Sequence, residues 1–286
     1  MSLNTPALTL LVCCHKPGPF PTQPPYLPIQ VGKALAHIDL NIQGDDTGTN
    51  ISLKNPSYCE LTGMYWAWKN LKPQPRLIGL CHYRRYFDFH RQCRHFTAQQ
   101  YFKTAEWDSL NLDVPNNLTD QITPGAALVA RPHWWMCSNY TRYCRSFIPK
   151  DIKTLHNVIK ERQPDYNPAF NSFMHKTNRQ SQGNMFIMTW TDFNNYCTWL
   201  FDLLSETEKR IDISGYDPVQ RRIYGYMAEF LLNIWLRKNK FRLIRRPLIC
   251  ITDDKQNELQ AKVVLLNALG WLATKITAAI RRNPDQ

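Results

Sequence analysis

Short apolar runs alternate along the chain with longer segments in which apolar residues recur every three or four positions. The apolar runs are brief and bounded by turn residues, which predicts buried strands. They are LTLLVCCHK near the start, RLIGLCHY at 76–83, GAALVARP at 125–132, NMFIM at 184–188 and FRLIRRPLICITD at 241–253. The periodic segments predict helices at 56–70, 139–162, 191–210 and 220–240. This alternation predicts an α/β protein with a mostly parallel central sheet flanked by helices.

Proline sets several of the predicted boundaries. Asn55 and Pro56 predict a helix start, because an asparagine side chain can accept a hydrogen bond from a first-turn N–H and proline tolerates the first helical position. Pro73 prevents that helix from continuing. The segment PGPFPTQPPYLP at 17–28 contains too many prolines for a helix or a sheet ladder, so it predicts a loop.

The residues after 255 follow a different pattern. Their apolar stretch is interrupted by Asn267, Thr274 and Lys275, so it is too polar to predict a membrane-spanning helix. It predicts an amphipathic helix that either lies on a membrane surface or packs on the domain. We therefore expect one α/β domain over residues 1–255 with a C-terminal helical appendage over 256–286.

The composition adds charge to this picture. The chain has 35 Lys and Arg against 23 Asp and Glu, a formal net charge of +12, which indicates an anionic partner such as a phosphorylated ligand, a nucleic acid or an acidic membrane face. The nine cysteines lack paired CxxC spacing, which argues against a disulfide framework and favours a reducing cytoplasm. The first apolar run has no basic segment before it, so it predicts a strand rather than a signal peptide.

Polar side chains gather where the first two apolar runs end. In open α/β sheets, ligands bind beyond the carboxyl ends of the strands, so we expect these side chains to contact a ligand. The intervening helix adds an acid and two tryptophans, for which burial in the core is the competing interpretation. The candidates for substrate binding are Cys14, His15, Glu60, Trp66, His82, Tyr83, Arg84, Arg85 and Asn184. Two neighbouring residues, Cys13 and Trp68, are candidates as well.

Four strings in this order carry a family resemblance: DLNIQGDDTGTNISLKNPSYCELTGMYWAWKN, LIGLCHYRRYFDF, NMFIM and RRIYGYMAEFLLNIWL. They resemble the bacterial capsular-polysaccharide and exopolysaccharide synthesis family once catalogued as a domain of unknown function. Its members are taken to be glycosyltransferases of the GT-A fold, some of them galactofuranosyltransferases that build O-antigen or capsule.

The resemblance implies an inverting transfer with a β linkage, in the first instance of galactofuranose from UDP-galactofuranose, onto a growing capsule, exopolysaccharide or O-antigen glycan. The implied partners are a UDP-sugar and a lipid-linked or polysaccharide acceptor, with possible contact to a membrane surface and no nucleic acid. The implied location is the cytoplasm, peripherally on the inner face of the cytoplasmic membrane.

Transfer from a nucleotide sugar releases a diphosphate, whose charge must be met by cations or oriented donors. Many GT-A enzymes hold Mn²⁺ or Mg²⁺ there with an Asp-x-Asp, and this sequence has His82-Tyr83-Arg84-Arg85 at the corresponding strand end. We expect both arginines to bind the diphosphate, because guanidinium groups contact phosphate oxygens in a bidentate manner. Their pairing with buried acids is the competing interpretation. A metal ion would then be dispensable, or Mn²⁺ or Mg²⁺ would be held elsewhere, by Asp45, Asp46 or Asp88.

Inverting transfer also needs a carboxylate that takes the proton of the acceptor hydroxyl. Glu229 is the leading candidate, because an acid within an apolar helical row has a raised pKa or a basic partner. Asp217, in the turn before that helix, is the reserve candidate for the catalytic role, and Glu60 is a third.

Two functions from other classes compete with an enzyme. Basic charge interleaved with aromatic residues is also typical of nucleic-acid-binding proteins, although the basic residues are spread along the chain and no recognition motif is visible. A non-catalytic glycan-binding member of a polysaccharide synthesis complex is the second. The carboxylate and the cationic turn favour the enzyme over both.

Overall fold

A computed structural model describes residues 5–91, 96–254 and 256–282 of the chain. Its strands are β1 (Leu8–Cys14), β2 (Tyr26–Gln30), β3 (Gln43–Gly44), β4 (Leu77–His82), β5 (Arg85–Phe87), β6 (Gln99–Phe102), β7 (Ala126–Ala130), β8 (His133–Trp134), β9 (Arg179–Gln180), β10 (Phe186–Thr189), β11 (Arg242–Arg246) and β12 (Leu248–Ile251). Its α-helices are α1 (Asn55–Tyr58), α2 (Leu61–Asn70), α3 (Asn116–Thr119), α4 (Asn139–Ser146), α5 (Pro149–Arg162), α6 (Asn167–Lys176), α7 (Trp190–Glu208), α8 (Ile223–Lys238) and α9 (Gln256–Arg282).

The main sheet has the strand order β11-β7-β10-β4-β1-β2-β3. Parallel pairing joins β1 to β2 and β4, β2 to β3, and β7 to β11, whereas β10 runs antiparallel between β4 and β7. The carboxyl ends of β1, β2, β4, β7 and β11 therefore lie on one edge of the sheet. The prediction of a mostly parallel α/β sheet flanked by helices is confirmed.

Alternate residues of the central strands supply two separate cores. In β1, Leu11 and Cys13 pack with helices α2 and α5 to α8, while Leu10, Val12 and Cys14 pack on the other face, against residues of β5 and β12. Both faces of the strand are covered, which explains why it is apolar throughout its length.

The prediction of one continuous helix at 56–70, capped by Asn55, is wrong in two respects. The helix is interrupted at Cys59, whose φ of 53° separates α1 from α2. Asn55 is already the first residue of α1, and its Nδ2 donates to the Cys59 carbonyl oxygen and to Thr62 Oγ1. The asparagine therefore stabilises the kink after the first turn and does not accept from a first-turn N–H.

Three other boundaries differ from the sequence prediction. Pro28 lies inside β2 and not in a loop. Strand β3 pairs only with Ile29 and Gln30, so β2 has no neighbour on that side at Pro28. The missing N–H of the proline is therefore tolerated. The helix predicted at 139–162 is two helices, because Pro149 begins a new one. The last predicted strand is likewise two strands, separated at Pro247.

The C-terminal helix α9 contacts strands β6 and β8. Asn267 is buried, and it accepts a hydrogen bond from the Trp134 N–H and donates one to the Phe96 carbonyl oxygen. A Cβ on Gly270 would lie 2.6 Å from the Trp134 carbonyl carbon and the Trp135 nitrogen, so the helix approaches this backbone closely. Within the described part of the chain, no helix is long and apolar enough to cross a membrane.

Candidate functional site

A cavity of about 450 Å³ opens at the carboxyl ends of β1 and β4. Helix α1, the kink that follows it and the segment before α8 form its other walls. Its charged and polar lining includes Cys13, His15, Cys59, Glu60, His82, Tyr83, Arg221 and Arg222. The structure thus brings together five of the residues predicted from the sequence to bind substrate: Cys13, His15, Glu60, His82 and Tyr83.

The hairpin from β4 to β5 forms the edge of this cavity. His82 pairs with Arg85 across the two strands, and Tyr83 and Arg84 make the turn between them. Cross-strand partners point to the same face of a sheet, so the imidazole and the Arg85 guanidinium lie on one side. The Arg84 guanidinium lies over the Tyr83 ring, 5.1 Å from its centroid.

Neither Arg84 nor Arg85 belongs to a salt bridge among the described residues. Both side chains are exposed. Arg85 lies near Glu229, where its charge opposes the rise in the pKa of that carboxyl group. Burial of both arginines against interior acids, the competing interpretation, therefore does not describe this hairpin.

A turn at Gly183 and Asn184 organises the polar groups behind the cavity. Both residues have positive φ, 83° and 52°, so the chain reverses sharply just before β10. His82 Nε2 lies 2.6 Å from the Gly183 carbonyl oxygen, and Asn184 Nδ2 donates to Glu60 Oε1 over 2.6 Å. The Gly183 N–H donates to the Glu229 carboxylate. Three candidate site residues, His82, Glu60 and Glu229, thus form hydrogen bonds with this one turn.

The contact with Gly183 defines the protonation of His82. A carbonyl oxygen only accepts hydrogen bonds, so the proton of the neutral ring is on Nε2. Burial lowers the pKa of His82, and the charges of Arg85 and Arg222 lower it further, against an opposing effect of Glu60. The imidazole is therefore neutral near pH 7 and acts as a hydrogen-bond donor.

Glu229 is the carboxyl group with a pKa suited to proton transfer. Burial raises its pKa from 4.5 to about 7, and the charge of Glu60 also raises it. Arg85, the Gly183 N–H and Arg142 oppose the rise. A base with a pKa near the working pH combines a large deprotonated fraction with useful basicity.

Arg221 and Arg222 are cavity cations that the sequence analysis missed as site residues. They lie in a 3₁₀ turn immediately before α8. Arg222 Nε donates to Cys59 Sγ over 3.3 Å, so the kink after α1 positions the guanidinium. Burial raises the pKa of the Cys59 thiol to about 12, which leaves it protonated. The available signal was the Arg-Arg pair at the start of RRIYGYMAEFLLNIWL.

Three other candidates lie away from the cavity. Cys14 is fully buried on the opposite face of β1, and its thiol donates to the Val12 carbonyl oxygen. Trp66 is buried in the helical core, with its Nε1 donating to Thr47 Oγ1. Asp217 is exposed, and its carboxylate accepts from the backbone N–H groups of Val219 and Gln220, so it caps the turn that carries Arg221.

The candidate metal ligands accept hydrogen bonds from the protein or face solvent in the structure. The buried Asp45 carboxylate accepts from the Gly32 and Lys33 N–H groups and from the Ser52 hydroxyl. Asp46 is exposed, and the Asp88 carboxylate accepts from the N–H groups of His90 and Arg91. Among the described residues, no three His, Cys, Asp or Glu side chains come together as a possible metal site.

The mixed α/β fold, with its mostly parallel central sheet flanked by helices, matches a GT-A-like glycosyltransferase fold. The chain belongs to the family described as a domain of unknown function, DUF4422, whose model matches residues 9–240. The expected resemblance to a family of glycosyltransferases is confirmed, and the galactofuranosyl subtype stays a prediction.

Among solved structures, the chain is similar to the apo structure of WbbM, a bifunctional glycosyltransferase, with a TM-score of 0.77 and 27% sequence identity. The similarity covers 86% of this chain and 46% of the WbbM chain, so the chain matches less than half of that protein. No curated protein matches it.

Proposed function

We propose that this chain is a glycosyltransferase that moves a sugar from a UDP-sugar onto a growing capsule, exopolysaccharide or O-antigen glycan. One observation carries the proposal: a cavity at the strand ends has Arg221 and Arg222 in its wall and Glu60 beside Glu229, whose pKa is about 7. Family membership and the likeness to WbbM support the same class of reaction.

In this reaction the acceptor hydroxyl oxygen attacks the anomeric carbon of the donor sugar. The bond from that carbon to the diphosphate breaks, and UDP leaves with the bonding electrons. Arg221 and Arg222 receive the charge of the diphosphate, and Arg84 and Arg85 on the hairpin complete the positive edge. These roles follow from guanidinium groups near the place where negative charge develops.

Glu229 takes the proton of the attacking hydroxyl in this proposal. Glu60 lines the cavity and accepts from the Asn184 amide, so it orients the turn and also raises the pKa of Glu229. Attack from the face opposite the diphosphate inverts the anomeric centre. The proposed donor is UDP-galactofuranose and the proposed product linkage is β.

We further propose that the protein acts peripherally on the inner face of the cytoplasmic membrane. Along α9, four apolar side chains repeat at helical spacing and stay solvent-exposed: Leu265, Leu269, Leu272 and Ile276, with exposed fractions of 39% to 59%. An apolar stripe of this kind binds bilayer interfaces. A membrane location would place the enzyme beside a lipid-linked acceptor.

A panel of UDP-sugars tests the proposed function, with UDP-galactofuranose generated in place by a mutase. UDP release is followed with and without an acceptor glycan, and each reaction is repeated in EDTA. We expect acceptor-dependent release from UDP-galactofuranose that persists in EDTA, because arginines bind the diphosphate. Loss of release in EDTA with recovery in Mn²⁺ would contradict the arginine-based mechanism, and no release from any UDP-sugar would contradict the function itself.

A further inference from the structure

A second and larger opening lies on the same edge of the sheet, beyond the carboxyl ends of β7 and β11. Its volume is about 1130 Å³, against about 450 Å³ for the cavity at β1 and β4. We name it the arginine cleft, because five arginines line it: Arg91, Arg131, Arg179, Arg245 and Arg246. Among the described residues that line it, none is an aspartate or a glutamate.

Three arginines of the cleft, Arg179, Arg245 and Arg246, have no acidic salt-bridge partner among the described residues. Burial lowers the pKa of Arg245, and the charges of Arg179 and Arg131 lower it further. Arg246 Nε is buried without a hydrogen-bond partner. Clustered like charges and an unsatisfied donor cost free energy, which a bound anion would offset.

The walls of the cleft are aromatic. Phe89, Phe96, Trp134 and Trp271 line it together with the arginines. The Arg179 guanidinium lies over the Trp134 ring, 5.1 Å from its centroid, and Trp271 packs edge-on against Phe96 at 5.8 Å. Because Trp271 is on α9, the cleft adjoins the helix that carries the exposed apolar stripe. The preferred ligand therefore combines an anion with an apolar part.

A row of interacting charges connects the cleft to the cavity. Glu229 interacts with Glu60, which lines the cavity, and with Arg85 and Arg142. Both arginines also act on His133, the residue before Trp134 in the cleft wall. The proposed base is therefore coupled electrostatically to Glu60 in the cavity wall and, through Arg85 and Arg142, to the residue beside the cleft wall.

We propose that the arginine cleft binds the phosphate or diphosphate group of the acceptor substrate, with the aromatic wall contacting an apolar chain attached to that group. The proposal rests on the proposed function, because an acceptor site has meaning only beside a donor site. Phosphate fits the cleft because several guanidinium groups converge there, and each can contact two phosphate oxygens.

The test measures binding by calorimetry with inorganic pyrophosphate and with farnesyl diphosphate as probes, while UDP reports on the cavity. The Arg179→Ala/Arg245→Ala variant removes two cleft charges. Its matched control, Arg145→Ala/Lys153→Ala, removes two exposed charges from α4 and α5. Thermal unfolding of every variant confirms that it folds. Pyrophosphate binding is measured with UDP in excess, and also in an Arg221→Ala/Arg222→Ala background.

We expect pyrophosphate to bind when the cleft is intact, both to wild type with UDP in excess and to the Arg221→Ala/Arg222→Ala protein. Its affinity should fall at least tenfold when the two cleft substitutions are added and stay unchanged with the control substitutions. UDP affinity should be equal in all three proteins. Farnesyl diphosphate should bind more tightly than free pyrophosphate, which identifies a lipid-borne group.

Equal affinities for farnesyl diphosphate and pyrophosphate would overturn the assignment to a lipid-borne acceptor. Pyrophosphate binding abolished by UDP, or weakened equally in the control, would overturn the cleft as a site. Failure of UDP to bind, with the pyrophosphate results unchanged, would instead contradict the proposed donor.

Discussion

The carboxyl groups of Glu60 and Glu229 lie close enough for the charge of one to act on the other. Glu60 belongs to the kink between α1 and α2, and Glu229 to the middle of α8. Burial raises the pKa of Glu229, and the charge of Glu60 adds to the rise. The Gly183–Asn184 turn joins them, since it donates one hydrogen bond to each carboxyl group. Two acids in one site thus have different environments, which is typical of acid–base chemistry.

Replacement of Glu229 tests its role as the base. Glu229→Gln keeps the shape and removes the proton acceptor, so we expect transfer to fall by roughly 10²- to 10⁴-fold with UDP affinity retained. In wild type, the transfer rate should rise with pH and level off above about 7, because the deprotonated carboxylate is the active form. Steady-state rates between pH 5 and 9 provide the measurement. Near-wild-type turnover in the variant would remove Glu229 from this role.

The same raised pKa makes a prediction for stability. The pKa of Glu229 in the folded protein, about 7, is above the ordinary glutamate value of 4.5, so folding favours the protonated form. Its destabilising effect is therefore absent below pH 4.5, grows between 4.5 and 7, and is constant above. The free energy of unfolding of wild type, relative to Glu229→Gln, should fall by roughly 3 kcal/mol across this window. Urea unfolding of both proteins at several pH values measures it, and parallel curves would contradict the raised pKa.

The Gly183–Asn184 turn allows a matched pair of variants. Gly183 and Gly125 both have positive φ, 83° and 77°, and an added Cβ meets no atom within 3.4 Å at either position. An alanine at either site is strained by about 1 to 2 kcal/mol, measurable by urea unfolding. Only Gly183 bonds His82 and Glu229, so Gly183→Ala should lose activity and Gly125→Ala should keep it. Equal activity losses would show that stability alone, and not the turn, explains the effect.

How far the sequence predicts this site depends on the distance over which each signal acts. His82, Tyr83 and Glu60 were identified because each follows from a local pattern, a strand end or a helix start. The contacts that assemble the site are not local: His82 bonds Gly183 across 101 positions, and Asn184 bonds Glu60 across 124. The two-residue period of a β-strand places Cys13 and Cys14 on opposite sides of the sheet, but it does not tell which side holds the cavity.

Substitution of single arginines distinguishes diphosphate binding in the cavity wall from diphosphate binding on the hairpin. Arg222 is held by Cys59 in the cavity wall, whereas Arg84 lies on the hairpin turn. Since a charged hydrogen bond contributes about 1.5 to 3 kcal/mol, Arg222→Ala should weaken UDP binding by roughly 10- to 100-fold. Arg84→Ala should have a smaller effect, and the exposed Arg145→Ala on α4 should have none. Titration calorimetry with UDP gives the three affinities. An unchanged affinity in Arg222→Ala would move the diphosphate to the hairpin.

The exposed stripe of α9 gives a test of membrane contact. Leu265 and Ile276 are 59% and 52% exposed, so glutamine at both positions leaves the packed side of the helix, with Asn267 and Gly270, unchanged. Loss of this apolar area should weaken binding to anionic phospholipid vesicles by about tenfold in co-sedimentation.

The pair Ile38→Gln and Leu53→Gln is the matched control for this change, because these residues have similar exposure, 58% and 68%, and lie outside α9. If the helix is the contact surface, the control binds vesicles as wild type does. Equal weakening in both variants would indicate a nonspecific loss of surface hydrophobicity. If neither variant weakens binding, α9 serves only to complete the domain, and Trp271, which lines the arginine cleft, is then its link to that cleft.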